Sequence, residues 1–286
     1  MKNVLILQNA RIGDLLQTTP MLRGLKEKFP VCHITVMVNK LFTDLKFDSR
    51  VLDEIIYFDQ NGMYEQLHDE SASLAQKYKL VKAYVDQFRK RNYDLIINLP
   101  ADTNNHFLAS LLAARAKELR GCMYTADRAL TLKHPVMIFL FTTSEMRELN
   151  RFNIVDLQNL IAGVQPAEKR LSFQLTPEGD AFADRFLTEH GVAADDYLVA
   201  LQPGASEERK KWHPASFARL ADELAKRFGA RVILCGSPSE TSLGDKIERL
   251  CSQKIINAVG KTSLPALGSV LQRCSLLVTN DTGTMH

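Results

Sequence analysis

The 286-residue chain is 45% hydrophobic and 24% charged, with a formal net charge of +3. Its length suggests two domains, its composition is that of a folded globular protein, and so small a charge gives no reason to expect a nucleic-acid partner. Five cysteines, scattered and never in C-x-x-C spacing, argue against a disulfide framework or a zinc site and for a reducing cytoplasm.

In chain order, apolar runs at residues 3–8, 33–38, 54–58 and 93–99 read as buried strands. The first segment, MKNVLILQNARIGD, therefore opens as a strand and lacks the apolar stretch and cleavage site of a signal peptide. Between the first two strands, Leu15, Leu22, Leu25 and Phe29 fall at helical spacing, and Pro30 ends that helix. A long polar helical stretch runs from about residue 63 to 91, and its basic triplet Arg89-Lys90-Arg91 reads as a solvated helix end.

The pattern blurs over residues 121–174, where the longest apolar run (PVMIFLF, 135–141) falls well short of the roughly 20 residues that span a bilayer. It restarts with a strand at 197–202. A helix follows whose stripe is Phe217, Leu220, Ala221, Leu224, Ala225 and Phe228, capped by Gly229. Strands at 231–235, 254–259 and 275–279 come next, the last two separated by a helix at 264–274. Strands alternating with helices predict parallel α/β architecture, with both sheet faces covered and two units joined near residues 165–175.

Open α/β sheets bind ligands beyond the carboxyl ends of their strands, often on helix N-termini, so the loops after strands carry the functional reading. In QNARIGD, Gly13 permits close backbone approach, and Asp14 is either a cap of the next helix or a carboxylate able to take a proton. The second loop, QPGASEERKKWHP, sets Arg209, Lys210 and Lys211 beside the only tryptophan. It is either an anion site or a solvated loop with Trp212 tucked into the core. GSPSE places Glu240 in a first turn, and Asn280-Asp281-Thr282-Gly283-Thr284 joins consecutive N–H groups and a hydroxyl at a helix start, which suits phosphate. Gly260-Lys261-Thr262 is not a P-loop, because that motif needs glycine at Ile255; no G-x-G-x-x-G or H-E-x-x-H occurs either.

Taken in order, VLILQNARIGDLLQTTPMLRGLKEKFP, LVALQPGASEERKKWHPASFARLADEL, RVILCGSPSE, INAVGKTSLPALGSVL and LLVTNDTGTMH resemble glycosyltransferase family 9, the heptosyltransferases of lipopolysaccharide core assembly. The resemblance implies an α/β, GT-B-type fold of two Rossmann-like domains facing across a cleft. Residues 1–170 would bind the acceptor, and residues 171–286 the nucleotide-sugar. It implies an inverting transfer of heptose from ADP-heptose with no metal or other cofactor. The acceptor would be a lipid-anchored oligosaccharide, met by a cytoplasmic protein in peripheral contact with the inner membrane.

The roles then fall residue by residue. Asp14 becomes the general base, and Lys210 the cation on the departing diphosphate, with Lys211 its near alternative. Asp281, Thr282 and Gly283 match the family's D-[ST]-G turn on the diphosphate. Thr284 stands where the family usually has proline, and Glu240 matches an acid that contacts the nucleotide-sugar. Gly13 and Ser206 complete the expected donor contacts, Ser206 with a structural role as its alternative. Residues 260–264 would lie near the adenine, or form a turn and cap made by Thr262 or Ser263. Family members continue beyond M-H, so the second domain is expected to be incomplete here. The readings outside this one are another donor or acceptor, a non-catalytic nucleotide-sugar-binding fragment, or a sugar-nucleotide epimerase of similar two-domain shape.

Overall fold

A computed structural model of the chain describes residues 1–100, 103–143 and 150–286. They divide into two compact units. The first is Met1–Thr43 with Phe47–Ser172, and the second is Phe173–His286 with the short segment Asp44–Lys46, whose Lys46 bridges antiparallel to Gln174.

The first unit runs β1 (Asn3–Leu7), α1 (Ile12–Lys28), β2 (His33–Asn39), β3 (Glu54–Phe58), α2 (Gln60–His68), α3 (Leu74–Phe88), β4 (Tyr93–Asn98) and α4 (Thr103–Leu112). It continues with β5 (Ala116–Tyr124), β6 (Leu130–Lys133), α5 (Pro135–Thr142) and α6 (Ile154–Ala162). Its sheet has the order β3-β2-β1-β4-β5-β6, parallel except for β6. The chain builds outward from β1 on one side through β2 and β3, then crosses to the other side of β1 with β4. The strand order therefore reverses between β1 and β4. Val4 to Leu7 are fully buried, as a central parallel strand covered on both faces requires.

Helix α1 contains Pro20, which supplies no N–H to the carbonyl of Leu16. The Thr19 hydroxyl donates to that oxygen instead, at 2.6 Å, so the helix continues to Lys28. The long polar stretch near residues 63–91 is two helices and not one. Asp69 leaves helical geometry at the end of α2, and Ser73 starts α3 with a reciprocal cap, its hydroxyl accepting from Gln76 N–H and Gln76 Oε1 accepting from Ser73 N–H. Within the stretch where the pattern blurs lie β5, β6, α5 and α6; β5 carries exposed Lys117 and Glu118, so it shows no continuous apolar run.

The second unit runs α7 (Pro177–Glu189), β7 (Leu198–Gln202), α8 (Pro214–Phe228), β8 (Arg231–Leu234), α9 (Thr241–Leu250), β9 (Ile256–Asn257), α10 (Leu264–Gln272) and β10 (Leu276–Thr279). The strand expected over 254–259 is thus only two residues long. The sheet order is β10-β7-β8-β9, all parallel. Its strand order also reverses, this time between β7 and β10.

Alternation along β7 sends Val199 and Leu201 into a core with Phe217, Ala221 and Leu224 of α8, and Leu198 and Ala200 into another with Ala183 and Leu187 of α7. Each such large side chain fully buried is worth ~1.5–3 kcal/mol. Helix α8 ends at Gly229, whose φ of 64° is the left-handed conformation that glycine takes without strain. No helix among the described residues is long and apolar enough to cross a membrane.

Candidate functional site

Both strand-order reversals carry the candidate residues, which is where open α/β sheets form their crevices. In the first unit, β1 ends in Gln8 and Asn9, and Asp14 follows at the third position of α1. Its Oδ2 accepts the N–H of Arg11 at 3.2 Å, so Asp14 does cap its own helix. That bond uses one lone pair and leaves the carboxylate without an ion pair among the described residues. Gln8 fixes the turn, donating from Nε2 to Thr18 Oγ1 at 3.0 Å and to the Asp14 carbonyl at 3.3 Å, while Thr18 donates to the same carbonyl at 2.8 Å. Gly13 is buried beside it in the first turn of α1.

Asp14, Arg11 and Gln8 open onto a pocket of about 500 Å³, shared with Leu99 and Pro100 after β4. A half-buried carboxylate held in place from its backbone, with free lone pairs and no neutralising cation, can accept a proton from a hydroxyl brought to it.

In the second unit, the loops after β7 and β10 meet because those strands are parallel neighbours, with Gln202 opposite Thr279. Lys210 Nζ lies 2.7 Å from Asp281 Oδ2 and 3.6 Å from Glu207 Oε1. The three consecutive cations are therefore not one basic surface. Arg209 turns back to Glu207 at 2.8 Å, Lys211 to Glu208 at 2.9 Å, and only Lys210 reaches the neighbouring loop. The Arg209 guanidinium beside Glu207 holds that carboxyl below its ordinary range. An ammonium group has three N–H donors, so Lys210 can keep Asp281 and still donate to an anion.

Asn280 ties these loops together and was not singled out from the sequence. Only 9% exposed, it donates to the Pro203 carbonyl at 2.7 Å and accepts the Trp212 N–H at 3.2 Å. Trp212 itself is 49% exposed, resting edge-on against Phe217, and is not tucked into the core. Thr282 precedes a short 3-10 turn, Gly283–Met285, that includes Thr284. The Thr282 hydroxyl makes no cap bond to that turn and stays available to a ligand.

Glu240 comes from the loop after β8. Its Oε2 accepts the Ser237 N–H at 2.7 Å and the Ser237 hydroxyl at 2.9 Å. Gly204 lies directly against it: a Cβ there would sit 1.7 Å from Glu240 Oε1. The loops after β7 and β8 thus touch only because residue 204 has no side chain. Ser206 is exposed and makes no hydrogen bond among the described residues. Of the stretch 260–264, Ser263 caps α10, accepting the Ala266 N–H at 3.3 Å, and the Lys261 ammonium donates to the Asn257 carbonyl at 2.8 Å. Cys235, at the end of β8, is pushed up to about 12 by burial and then by Cys274, and so offers no thiolate near neutral pH. No group of three or more His, Cys, Asp or Glu side chains with metal-binding proximity occurs among the described residues.

The sequence pattern of glycosyltransferase family 9 (heptosyltransferase) matches residues 81–286. The chain is 26% identical over 286 residues to lipopolysaccharide heptosyltransferase 3 of Escherichia coli K12, covering 96% of this chain and 75% of that protein. Among solved structures it is similar to a glycosyl transferase family 9 protein from Veillonella parvula, with a TM-score of 0.78 and 22% identity over 100% of this chain and 76% of that one. It is also similar to the E. coli heptosyltransferase WaaC with ADP, with a TM-score of 0.65 and 20% identity over 99% and 83% of the two chains. These structures share the α/β, GT-B-type fold.

Proposed function

The chain belongs to glycosyltransferase family 9 and is a glycosyltransferase; from that premise we propose that it transfers heptose from ADP-heptose to the inner core of lipopolysaccharide, with inversion and without a metal. The observation that carries this reading is the placing of chemically matched side chains at both strand-order reversals. One is a carboxylate without an ion pair among the described residues, Asp14, and the other a lysine, Lys210, shared between two loops.

Asp14 accepts the proton of the acceptor hydroxyl as its oxygen attacks the anomeric carbon. The bond from that carbon to the diphosphate breaks on the opposite face, and its electron pair leaves with the phosphate oxygen. One displacement inverts the centre and needs one base. Negative charge grows on the leaving diphosphate, where the Lys210 ammonium, the Thr282 hydroxyl and the amides of Gly283 and Thr284 meet it. Asp281 keeps Lys210 aimed. Glu240, fixed by Ser237, accepts from the hydroxyls of the nucleotide's ribose, and Ser206, Lys211 and Gly13 complete the set. A relative's complex with ADP supports adenine as the donor base. The acceptor is lipid-anchored, so the protein meets the membrane from its surface.

Mass spectrometry tests the reading. Incubation with ADP-heptose, EDTA and lipopolysaccharide from a heptose-deficient strain should add one heptose to the core oligosaccharide and release ADP, with UDP-sugars inactive. No heptose-bearing product would overturn the donor and acceptor assignment; a requirement for added metal would overturn the metal-free step.

A further inference from the structure

Helix α6 buries two amides without side-chain partners among the described residues, Gln158 and Asn159, and of these Gln158 lines a pocket. Gln158 is only 4% exposed, and among the described residues its Oε1 is buried with no hydrogen-bond partner and its amide makes no other side-chain hydrogen bond. A buried amide without partners costs stability, and proteins keep such groups where a ligand uses them.

Gln158 lines the same pocket of about 500 Å³ as Asp14. The surrounding wall is apolar, built from Met137 and Leu140 of α5 and Ile154 and Ile161 of α6. Gln8 lines the pocket as well, and its Oε1 is likewise buried without a partner although its Nε2 is held by α1. Apolar walls around a few convergent polar groups suit a sugar ring, its C–H face on the aliphatic side chains and its hydroxyls on the amides.

We propose that Gln158 is a specificity-determining residue for the acceptor, its amide binding a sugar hydroxyl adjacent to the one that Asp14 deprotonates. Gln8 accepts a second hydroxyl from the same ring. The inference rests on the transferase reading above. It adds that the pocket selects an acceptor by its hydroxyl pattern, because a site built to hydrogen-bond a hydroxyl rejects the analogue that lacks it.

The test is Gln158→Met, which keeps length and volume and removes the amide, with Gln158→Leu as a second variant. Deacylated lipopolysaccharide core oligosaccharide serves as the acceptor probe. The acceptor KM and the calorimetric Kd should both rise about tenfold, the loss of one neutral hydrogen bond, while the donor KM stays within about twofold. Tm should rise by a few degrees, because the unpartnered amide is gone. A lower Tm in both variants would show that the amide serves the fold, and an unchanged acceptor Kd would show that it does not touch the acceptor; either result overturns the proposal. If the unaltered enzyme binds the oligosaccharide but forms no product, the transferase reading fails instead, and the binding and melting comparisons still decide the role of Gln158.

Discussion

Replacing Asp14 by asparagine separates its two roles, because the structure shows what each is worth. The capping bond is one oxygen accepting the Arg11 N–H at 3.2 Å, and an asparagine oxygen accepts it equally well. What the fold loses is a negative charge in the first turn of α1, ~0.3–1 kcal/mol at an exposed helix N-terminus and up to ~2 kcal/mol where, as here, the group is half-buried. For domains of this size ~1 kcal/mol moves the midpoint by about 2–4 °C, so Tm should fall by no more than about 8 °C.

Catalysis loses far more. An amide cannot take the proton, and removal of a general base costs ~10²–10⁴ in rate, or about 3–5.5 kcal/mol. The cost to turnover should therefore exceed the cost to folding. Three assays on one preparation check this: thermal unfolding, calorimetric titration of ADP, and steady-state heptose transfer. ADP affinity should be unchanged, because the donor loops lie in the other unit. A residual rate above a tenth of the original refutes the base assignment. A rate that falls only in step with Tm would mean that Asp14 is a cap and nothing more.

Lys210→Met should weaken ADP binding and lower kcat by ~10²–10³, the scale of removing one donor to a developing oxyanion. Lys211→Met, which loses only a partnership with Glu208, should change either by less than about threefold; equal losses would show that the phosphate contact is shared. Asn280→Ala strips the bonds to Pro203 and Trp212, and leaving that buried carbonyl unpaired should cost ~1–3 kcal/mol in a urea titration followed by Trp212 fluorescence. Asp53→Asn tests an electrostatic tie. Burial alone would raise the Asp53 carboxyl, but the Ile34 N–H at 2.7 Å and Lys26 at 2.6 Å hold it below its ordinary range. A depressed folded pKa contributes stability above the unfolded value of ~3.9 and loses it as pH falls through the folded value. The variant should be less stable at pH 7, and the gap should close as pH drops below about 3.9; a gap that persists at pH 2 would contradict the mechanism.

The parts of the molecule legible in the sequence are those where local chemistry decides. Central strands β1 and β7 are buried on both faces, so their apolar runs are unbroken, and α8 shows both its stripe and its Gly229 stop. The break between α2 and α3 was also written there, as Ser73 followed by Gln76, but polar residues on both sides mask it as one long polar helix. Strands β5 and β6 were hidden for another reason. They end the sheet, β6 at its edge and β5 beside it, and pairing with β4 on one side and between themselves on the other makes strands of sequences that carry charged residues and no long apolar run.

The site divides in the same way. Asp14 and Glu240 carry recognisable local caps, whereas the pairing of Lys210 with Asp281 depends on β7 and β10 becoming neighbours, 71 residues apart in sequence. Two features had no local signal at all. Asn280 looks like any turn residue until the two ends of the loop after β7, Pro203 and Trp212, meet on its amide, and Gln158 looks like a polar residue on a helix until α6 turns it inward. Both are polar groups that the fold buries. One is hydrogen-bonded through both its amide nitrogen and its oxygen and so reads as a structural clamp; the oxygen of the other has no partner among the described residues, and it lines the same pocket as Asp14. On the proposal above, that difference together with the pocket shared with Asp14, and not residue type, separates Asn280 as part of the site's architecture from Gln158 as a residue for its ligand.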